Sequence, residues 1–176
     1  MSLHKIILLG YMGSGKSAVG TQLAKNLGIS FVDLDDYIEL KAQDSIPNIF
    51  KTKGELFFRA LERKCLEELV LSPDALVVSL GGGTPCYYDT MEFICSQSNV
   101  HSVYLKTSLA ELTKRLFTER SYRPMISHLE TIDQLHEFIG KHLFERAVFY
   151  QRATVQVSTD QKSVEEVVRE LGEILS

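Results

Sequence analysis

The sequence predicts an α/β fold built on one parallel sheet with helices on both faces. Three observations carry that expectation. Short apolar runs alternate with longer stretches whose apolar residues recur at helical spacing, the pattern of strand–helix–strand crossovers. The first run, Ile6–Leu9, is apolar throughout and stops at Gly10, as a strand buried on both faces does. The chain has 176 residues with no internal repeat, low-complexity tract or Pro/Gly/Ser linker, which fits one domain at roughly 100–200 residues each.

Taken in order, the strand Ile6–Leu9 is followed by a helix over Lys16–Leu27, with Val19, Leu23, Ala24 and Leu27 at helical spacing and Gly28 where a C-cap glycine belongs. Ile29–Asp33 reads as a second strand, and Tyr37–Lys41 and Ile46–Phe50 as short helices. Glu55–Val70 reads as a longer helix with Leu56, Leu61, Cys65, Leu66 and Leu69 inward. Ala75–Leu80 is a third strand ending in Gly81-Gly82-Gly83, Thr90–Cys95 is helical, and Val100–Leu105 is a fourth strand. Ser108 and Glu111 have capping-box spacing, which predicts a helix from there to about Thr118. Glu119–Glu130 is polar, contains Pro124 and shows no period. Ile132–Tyr150 is a long helix and Thr154–Val157 a fifth strand. Ser163 and Glu166 form a second capping box, opening a terminal helix with Val164, Val167, Val168, Leu171 and Leu175 on one side. Ligands of such sheets bind at the carboxyl ends of the strands. Gly10, the Asp33-Leu34-Asp35 run and Gly81–Gly83 are therefore expected to line one crevice.

Composition excludes several classes. Hydrophobic residues make up 44% and charged residues 24% of the chain, which is globular rather than disordered or fibrous. A net charge of −4 speaks against a broad basic surface for nucleic acid or anionic membrane. The three cysteines, Cys65, Cys86 and Cys95, contain no C-x-x-C pair, and are expected as free thiols in a reducing cytosol. The histidines at 4, 101, 128, 136 and 142 show no metal-ligand spacing. No apolar run approaches the ~18 residues of a membrane span, and the N-terminal apolar run is too short for a signal segment. A soluble, cytoplasmic, monomeric protein is the expectation.

Gly10-Tyr11-Met12-Gly13-Ser14-Gly15-Lys16-Ser17 matches G-x-x-x-x-G-K-[ST], with a strand before it and a helix after it. Glycines there let backbone N–H groups approach a polyphosphate, and the helix N-terminus adds partial positive charge. Lys16 can reach the β- and γ-phosphates and Ser17 can ligate Mg²⁺. No N-K-x-D base motif of a GTPase is present. The third strand ends in Ser79-Leu80-Gly81 rather than a metal-binding Asp, so the metal carboxylate must come from elsewhere, and Asp33 ends a neighbouring strand.

The chain resembles the shikimate kinase family over essentially its whole length. The resemblance rests on Gly10–Ser17, Asp33-x-Asp35, Gly54-Glu55-x-x-Phe58-Arg59-x-x-Glu62, Gly81-Gly82-Gly83, Arg123-Pro124 and Arg146-x-x-x-Tyr150, in that order. It implies a three-layer P-loop NTPase fold, like the nucleoside monophosphate kinases, with a five-stranded parallel sheet in the order 2-3-1-4-5. It implies a core of residues 1–33, 71–118 and 151–176, a substrate-binding helical region of about 34–70 and a lid of about 119–131. The implied substrates are ATP and shikimate, with one Mg²⁺. ATP would be held by Gly13, Ser14, Gly15, Lys16, Ser17, Ala18, Arg115, Arg123 and Lys162, with adenine between the Arg115 region and the loop near Lys162. Shikimate would meet Asp35, Arg59, Gly81, Gly82, Gly83 and Arg146, and Mg²⁺ would meet Ser17 and Asp33. Lys16, Asp35 and Arg123 would carry the chemistry, Asp35 as base toward the 3-hydroxyl.

The residues support these roles on their own chemistry. A carboxylate ligand calls for planar bidentate donors, which arginine supplies and lysine does not. Arg59 and Glu62, three apart on a helix, share a face, so Glu62 can fix the guanidinium. If the second strand continues through Asp35, both carboxylates project to one side, leaving Asp36 to helix capping or solvent. Three consecutive glycines cost backbone entropy, so close approach of a ligand explains them better than a plain turn. Arg123 lies in the aperiodic stretch, where a closing loop delivers an arginine to phosphates, and Arg120 has the weaker claim. Two rivals are a gluconate or nucleoside kinase and a nucleotide-binding regulatory module without turnover. The first does not explain paired carboxylate-binding arginines, and the second would not need Asp35, Arg59 and Arg146 intact.

Overall fold

A computed structural model describes residues 5–175, so His4 lies outside the described residues. The sheet has five parallel strands in the order β2-β3-β1-β4-β5, as expected. The strands are β1 (Lys5–Leu9), β2 (Ser30–Asp33), β3 (Leu76–Ser79), β4 (Val100–Lys106) and β5 (Val155–Ser158). The helices are α1 (Lys16–Leu27), α2 (Leu34–Ala42), α3 (Ile46–Leu71), α4 (Thr90–Ser96), α5 (Leu109–Glu119), α6 (Ile132–Tyr150) and α7 (Val164–Leu175). No helix among the described residues is long and apolar enough to cross a membrane.

The central strand shows why the sheet is buried on both faces. Successive side chains of a strand point to opposite sides. In β1, Ile7 and Leu9 enter one core with residues of α2, α3, α5 and α6. Ile6 and Leu8 enter the other, with Val19, Leu23 and Ala24 of α1 and Val167, Val168 and Leu171 of α7. Gly20 seats α1 on the sheet: a Cβ there would lie 2.4 Å from the Phe31 ring. That close packing fixes where α1 begins, and so where the loop before it points.

Several local expectations change. α2 starts at Leu34 rather than Tyr37, because Asp33 caps it, accepting from the Asp35 N–H. The two helices read over Ile46–Phe50 and Glu55–Val70 run together as α3, broken at Gly54, whose φ of +82° is non-helical. Leu56 is 81% exposed, not inward, and Phe58 and Glu62 take the buried face. Ser108 caps α5 through the Glu111 N–H, but Glu111 pairs with Arg115 instead of completing the box. Ser163–Glu166 does make both bonds, and a further complete box, Thr131–Gln134, opens α6.

Candidate active site

The ends of β1, β3 and β2 lie side by side, with Leu8 in register with Ser79 and Ser79 with Asp33. The loop Gly10–Ser17 leaves β1 there. Gly13 and Gly15 adopt φ of +81° and +91°, a region costly for side-chain-bearing residues. Lys16 turns its ammonium into the loop, donating to the carbonyls of Gly10 (2.8 Å) and Tyr11 (3.1 Å). Burial pushes its pKa down to about 8, against the opposing pull of Asp33 and Asp35. The Ser14 hydroxyl is buried without a hydrogen-bond partner among the described residues.

Asp33 has two contacts. Its Oδ1 accepts from the Asp35 N–H (3.0 Å) and its Oδ2 accepts from the Ser17 hydroxyl (3.1 Å). This makes it at once the cap of α2 and the partner of the Ser17 hydroxyl. A hydroxyl and a carboxylate at the mouth of the phosphate loop are hard oxygen donors that fit Mg²⁺, which keeps several waters and needs only one or two protein ligands. Among the described residues no group of three or more His, Cys, Asp or Glu could hold a metal ion.

The expectation that one strand carries both carboxylates is corrected, because Asp35 sits in the first turn of α2. Asp33 and Asp35 nonetheless face one cavity of about 350 Å³, lined also by Lys16, Ser17, Glu119 and Arg123. Burial, reinforced by Asp33 and Glu62, pushes the Asp35 carboxyl up to about 6 despite the Lys16 charge. Asp36 is exposed, the solvent alternative.

A second cavity of about 480 Å³ holds Arg59 and Arg146, and shares Met12, Asp35, Gly81 and Gly82 with the first. Asp35 therefore stands where the phosphate cavity opens into the arginine cavity. The three glycines at the β3 end leave room for side chains of the two cavities. A Cβ would lie 3.3 Å from Asp35 Oδ1 at Gly81, 3.4 Å from Arg146 Nη1 at Gly82, and 3.2 Å from Arg59 Nη2 at Gly83. None of the three has positive φ, so the need for glycine there is one of space.

The two arginines differ. Arg59 donates to Glu62 Oε2 (3.0 Å), and Glu62 is buried and held by the Thr84 hydroxyl (2.7 Å). The Arg59 Nε is buried without a hydrogen-bond partner among the described residues, and pairs with Glu55 Oε1 only at 3.6 Å. Arg146 makes no ion pair among the described residues, and lies 5.6 Å from the Tyr11 ring centre. Arg59 thus brings oriented donors with its charge largely balanced, whereas Arg146 brings uncompensated positive charge.

Arg123 lines the phosphate cavity but is paired with Glu119, its Nε and Nη2 both donating to Oε2. Glu119 was not anticipated; its i,i+4 spacing to Arg123 was the available signal. Arg120 is turned to the Phe117 carbonyl and ring. The segment after Arg123 folds down, with Ile126 buried and Met125 against the arginine cavity. Arg115 bridges the Gly13 and Thr159 carbonyls (3.3 and 3.2 Å), tying the phosphate loop to the loop after β5. Lys162 reaches that junction through its backbone, its N–H donating to the Thr159 carbonyl (3.3 Å), while its ammonium pairs with Glu170 of α7. Two contacts of motif residues were not read from the sequence. Tyr150, buried, donates its hydroxyl to the Gly82 carbonyl (2.5 Å), and the Tyr11 hydroxyl meets His142 Nδ1 at 3.3 Å. The Arg146-x-x-x-Tyr150 spacing, one helical turn, could have flagged the first.

Fold and site together define a P-loop small-molecule kinase. A sequence model described as shikimate kinase matches residues 12–176, and the chain belongs to that family. A curated relative, the shikimate kinase of Flavobacterium johnsoniae, is 41% identical over 99% of this chain and 100% of its own length. That of Parabacteroides distasonis is 38% identical over 98% of each. Among solved structures, shikimate kinase from Bacteroides thetaiotaomicron superposes with a TM-score of 0.87 at 36% identity, covering 98% of both chains. Shikimate kinase from Acinetobacter baumannii, solved in complex with shikimate, gives 0.82 at 31% identity, covering 99% of this chain and 93% of that one. A gluconokinase from Sinorhizobium meliloti, at 19% identity and a TM-score of 0.60 over 99% of this chain and 96% of that one, shares the fold.

Proposed function

We propose that this chain transfers the γ-phosphoryl group of MgATP to the 3-hydroxyl of shikimate, giving shikimate 3-phosphate and ADP, a step toward chorismate and the aromatic amino acids. One observation carries the reading: Asp35 stands at the junction of a phosphate cavity and a cavity holding two arginines. Arg59 and Arg146 fix the carboxylate of the acceptor and so aim its hydroxyl at Asp35. Asp35 orients that hydroxyl and takes its proton late, since the transition state is loose and needs no strong base. Lys16 and Arg123 set positive charge against the transferred group, with Arg123 exchanging Glu119 for phosphate oxygens. Ser17 and Asp33 would hold Mg²⁺, which when bound supplies further positive charge beside the phosphates. The adenine end lies toward Arg115 and the loop that carries Lys162, whose ammonium would have to leave Glu170 to reach it. The proposal extends to a monomeric, cytoplasmic enzyme, and the free thiols of Cys65, Cys86 and Cys95 suit a reducing compartment.

An ADP-release assay with MgATP and either shikimate, gluconate or a nucleoside tests this. Turnover on shikimate alone is expected, and turnover on one of the others without shikimate would overturn it. The contrast between the arginines gives a second expected result. Arg146→Met removes the uncompensated charge and should raise the KM for shikimate by roughly 100-fold, the upper range for a charged hydrogen bond. Arg59→Lys keeps a charge but loses the fork, and roughly 10-fold is expected. Steady-state kinetics at saturating ATP measures both, and equal effects would remove the division of labour.

A further inference from the structure

Tyr87, just beyond the glycine run, belongs to none of the motifs, yet it makes the closest aromatic contact of any arginine in the site. The Arg59 guanidinium carbon lies 3.8 Å from the centre of the Tyr87 ring, with the Phe58 ring at 5.1 Å. The Tyr87 hydroxyl donates to Glu55 Oε1 at 2.8 Å. That same oxygen forms an ion pair with Arg59 Nε at 3.6 Å, beyond a hydrogen bond, and the buried Nε has no hydrogen-bond partner among the described residues. On its other edge Arg59 is held by Glu62, which Thr84 anchors.

We propose that Tyr87 is a positioning residue for the acceptor's carboxylate, acting through Arg59 in two ways; this rests on the reading of the acceptor given above. Its ring fixes the plane of the guanidinium. A free arginine side chain samples many rotamers, and stacking spends that ordering before the ligand arrives, which is how preorganisation raises affinity. Its hydroxyl also engages Glu55. Without that bond Glu55 is free to close on the Arg59 Nε, and a guanidinium bound by carboxylates on both edges turns its fork away from the ligand. Tyr87 therefore keeps Arg59 flat and keeps one competing carboxylate occupied.

The two actions separate by mutation. Tyr87→Leu removes both, and the shikimate KM and the Kd measured by calorimetry without nucleotide should rise roughly 10- to 30-fold, the range of a desolvated cation–π contact of about 2 kcal/mol. Tyr87→Phe keeps the ring and should raise them about threefold, and adding Glu55→Ala should bring that variant back to wild type. In each case kcat should stay within twofold and the KM for ATP should not move, because a contact that orients the ligand equally in ground and transition states changes KM alone. A merely structural residue would move both substrates' constants and the melting temperature together. Wild-type shikimate affinity in Tyr87→Leu would overturn the proposal, as would a Tyr87→Phe effect that Glu55→Ala leaves in place. If Tyr87→Leu does not fold, the Tyr87→Phe pair still decides. A wild-type protein without shikimate turnover overturns the proposed function itself, which is a different result from wild-type turnover with unaffected variants.

Discussion

Asp35→Asn is expected to lower kcat on shikimate by about 10³-fold, within the 10²–10⁴ range for a positioned acid–base group, while the KM for ATP stays within about threefold. The amide keeps the shape but loses the negative charge and, with it, the capacity to take a proton. The carboxyl is held up to about 6 by burial and by Asp33 and Glu62, so the wild-type kcat/KM for shikimate should fall tenfold per pH unit below about 6. A profile flat down to pH 5 would take Asp35 out of the chemistry. The same displacement has a stability consequence with a definite sign. The group's ordinary value is 3.8 and its folded value about 6, so the folded state binds the proton more tightly. The favourable contribution is full below about pH 4 and lost as pH rises through about 6. At neutral pH the ionised carboxylate is therefore a net cost. Asp35→Asn should raise stability by ~1–3 kcal/mol at pH 7, read as an increase of several degrees in Tm. A variant inactive and less stable would mean that the residue holds the fold.

The parts of this site that sequence reveals are those fixed by local backbone chemistry. The first residue of α1, its glycine C-cap and the strand before it follow from Lys16–Leu27 and Gly28, because loop, helix and cap are each written within a few positions. The sheet order is not local, and it came through the family resemblance. Asp33 and Asp35 show where alternation misleads. Two carboxylates two apart read as one strand face, but the first is also the best available N-cap, and capping ended the strand. Leu56 fails similarly: the break at Gly54 resets the helical phase, so the buried face runs through Phe58 and Glu62 instead. The glycine run reads in sequence as room for a ligand, whereas what the structure sets against it is the protein's own side chains, from three separate elements, α2, α3 and α6, meeting one turn. Lys162 and Glu119 mark the remaining limit. A long side chain near a site takes whichever carboxylate tertiary structure offers. Glu170 takes the lysine and Glu119 takes Arg123.

Lys16→Met is the second large effect, and it tests whether the two charges at the centre of the site share one electrostatic field. Turnover should fall by at least about 10³-fold, since the residue offers the charge that a phosphoryl group in flight requires. The thermal stabilisation of the wild-type protein by MgATP, about 2.7 kcal/mol at a hundredfold excess over Kd, should vanish. The unliganded variant should nonetheless be more stable than wild type. Burial brings Lys16 from 10.5 down to about 8, so between those values the unfolded chain binds more protons. Stability then rises with pH across that window, and the charged amine costs stability below it. Methionine removes that cost and loses two hydrogen bonds to the Gly10 and Tyr11 carbonyls, leaving a gain of ~1–2 kcal/mol at pH 7. Each charge is partly compensated by the other: Lys16 lowers Asp35 and Asp35 raises Lys16. A single substitution relieves one burial cost but strands the partner, whereas the double variant Lys16→Met/Asp35→Asn relieves both costs and loses the attraction once. Its gain in stability should therefore exceed the sum of the single gains by ~1 kcal/mol, the size of coupling between neighbouring charges. Chemical denaturation of the four proteins at pH 7 without nucleotide measures it. Strict additivity would mean that solvent, rather than the opposite charge, compensates each group. The cost of holding two partly compensated charges in this cavity would then not be what the phosphate and the hydroxyl relieve when they bind.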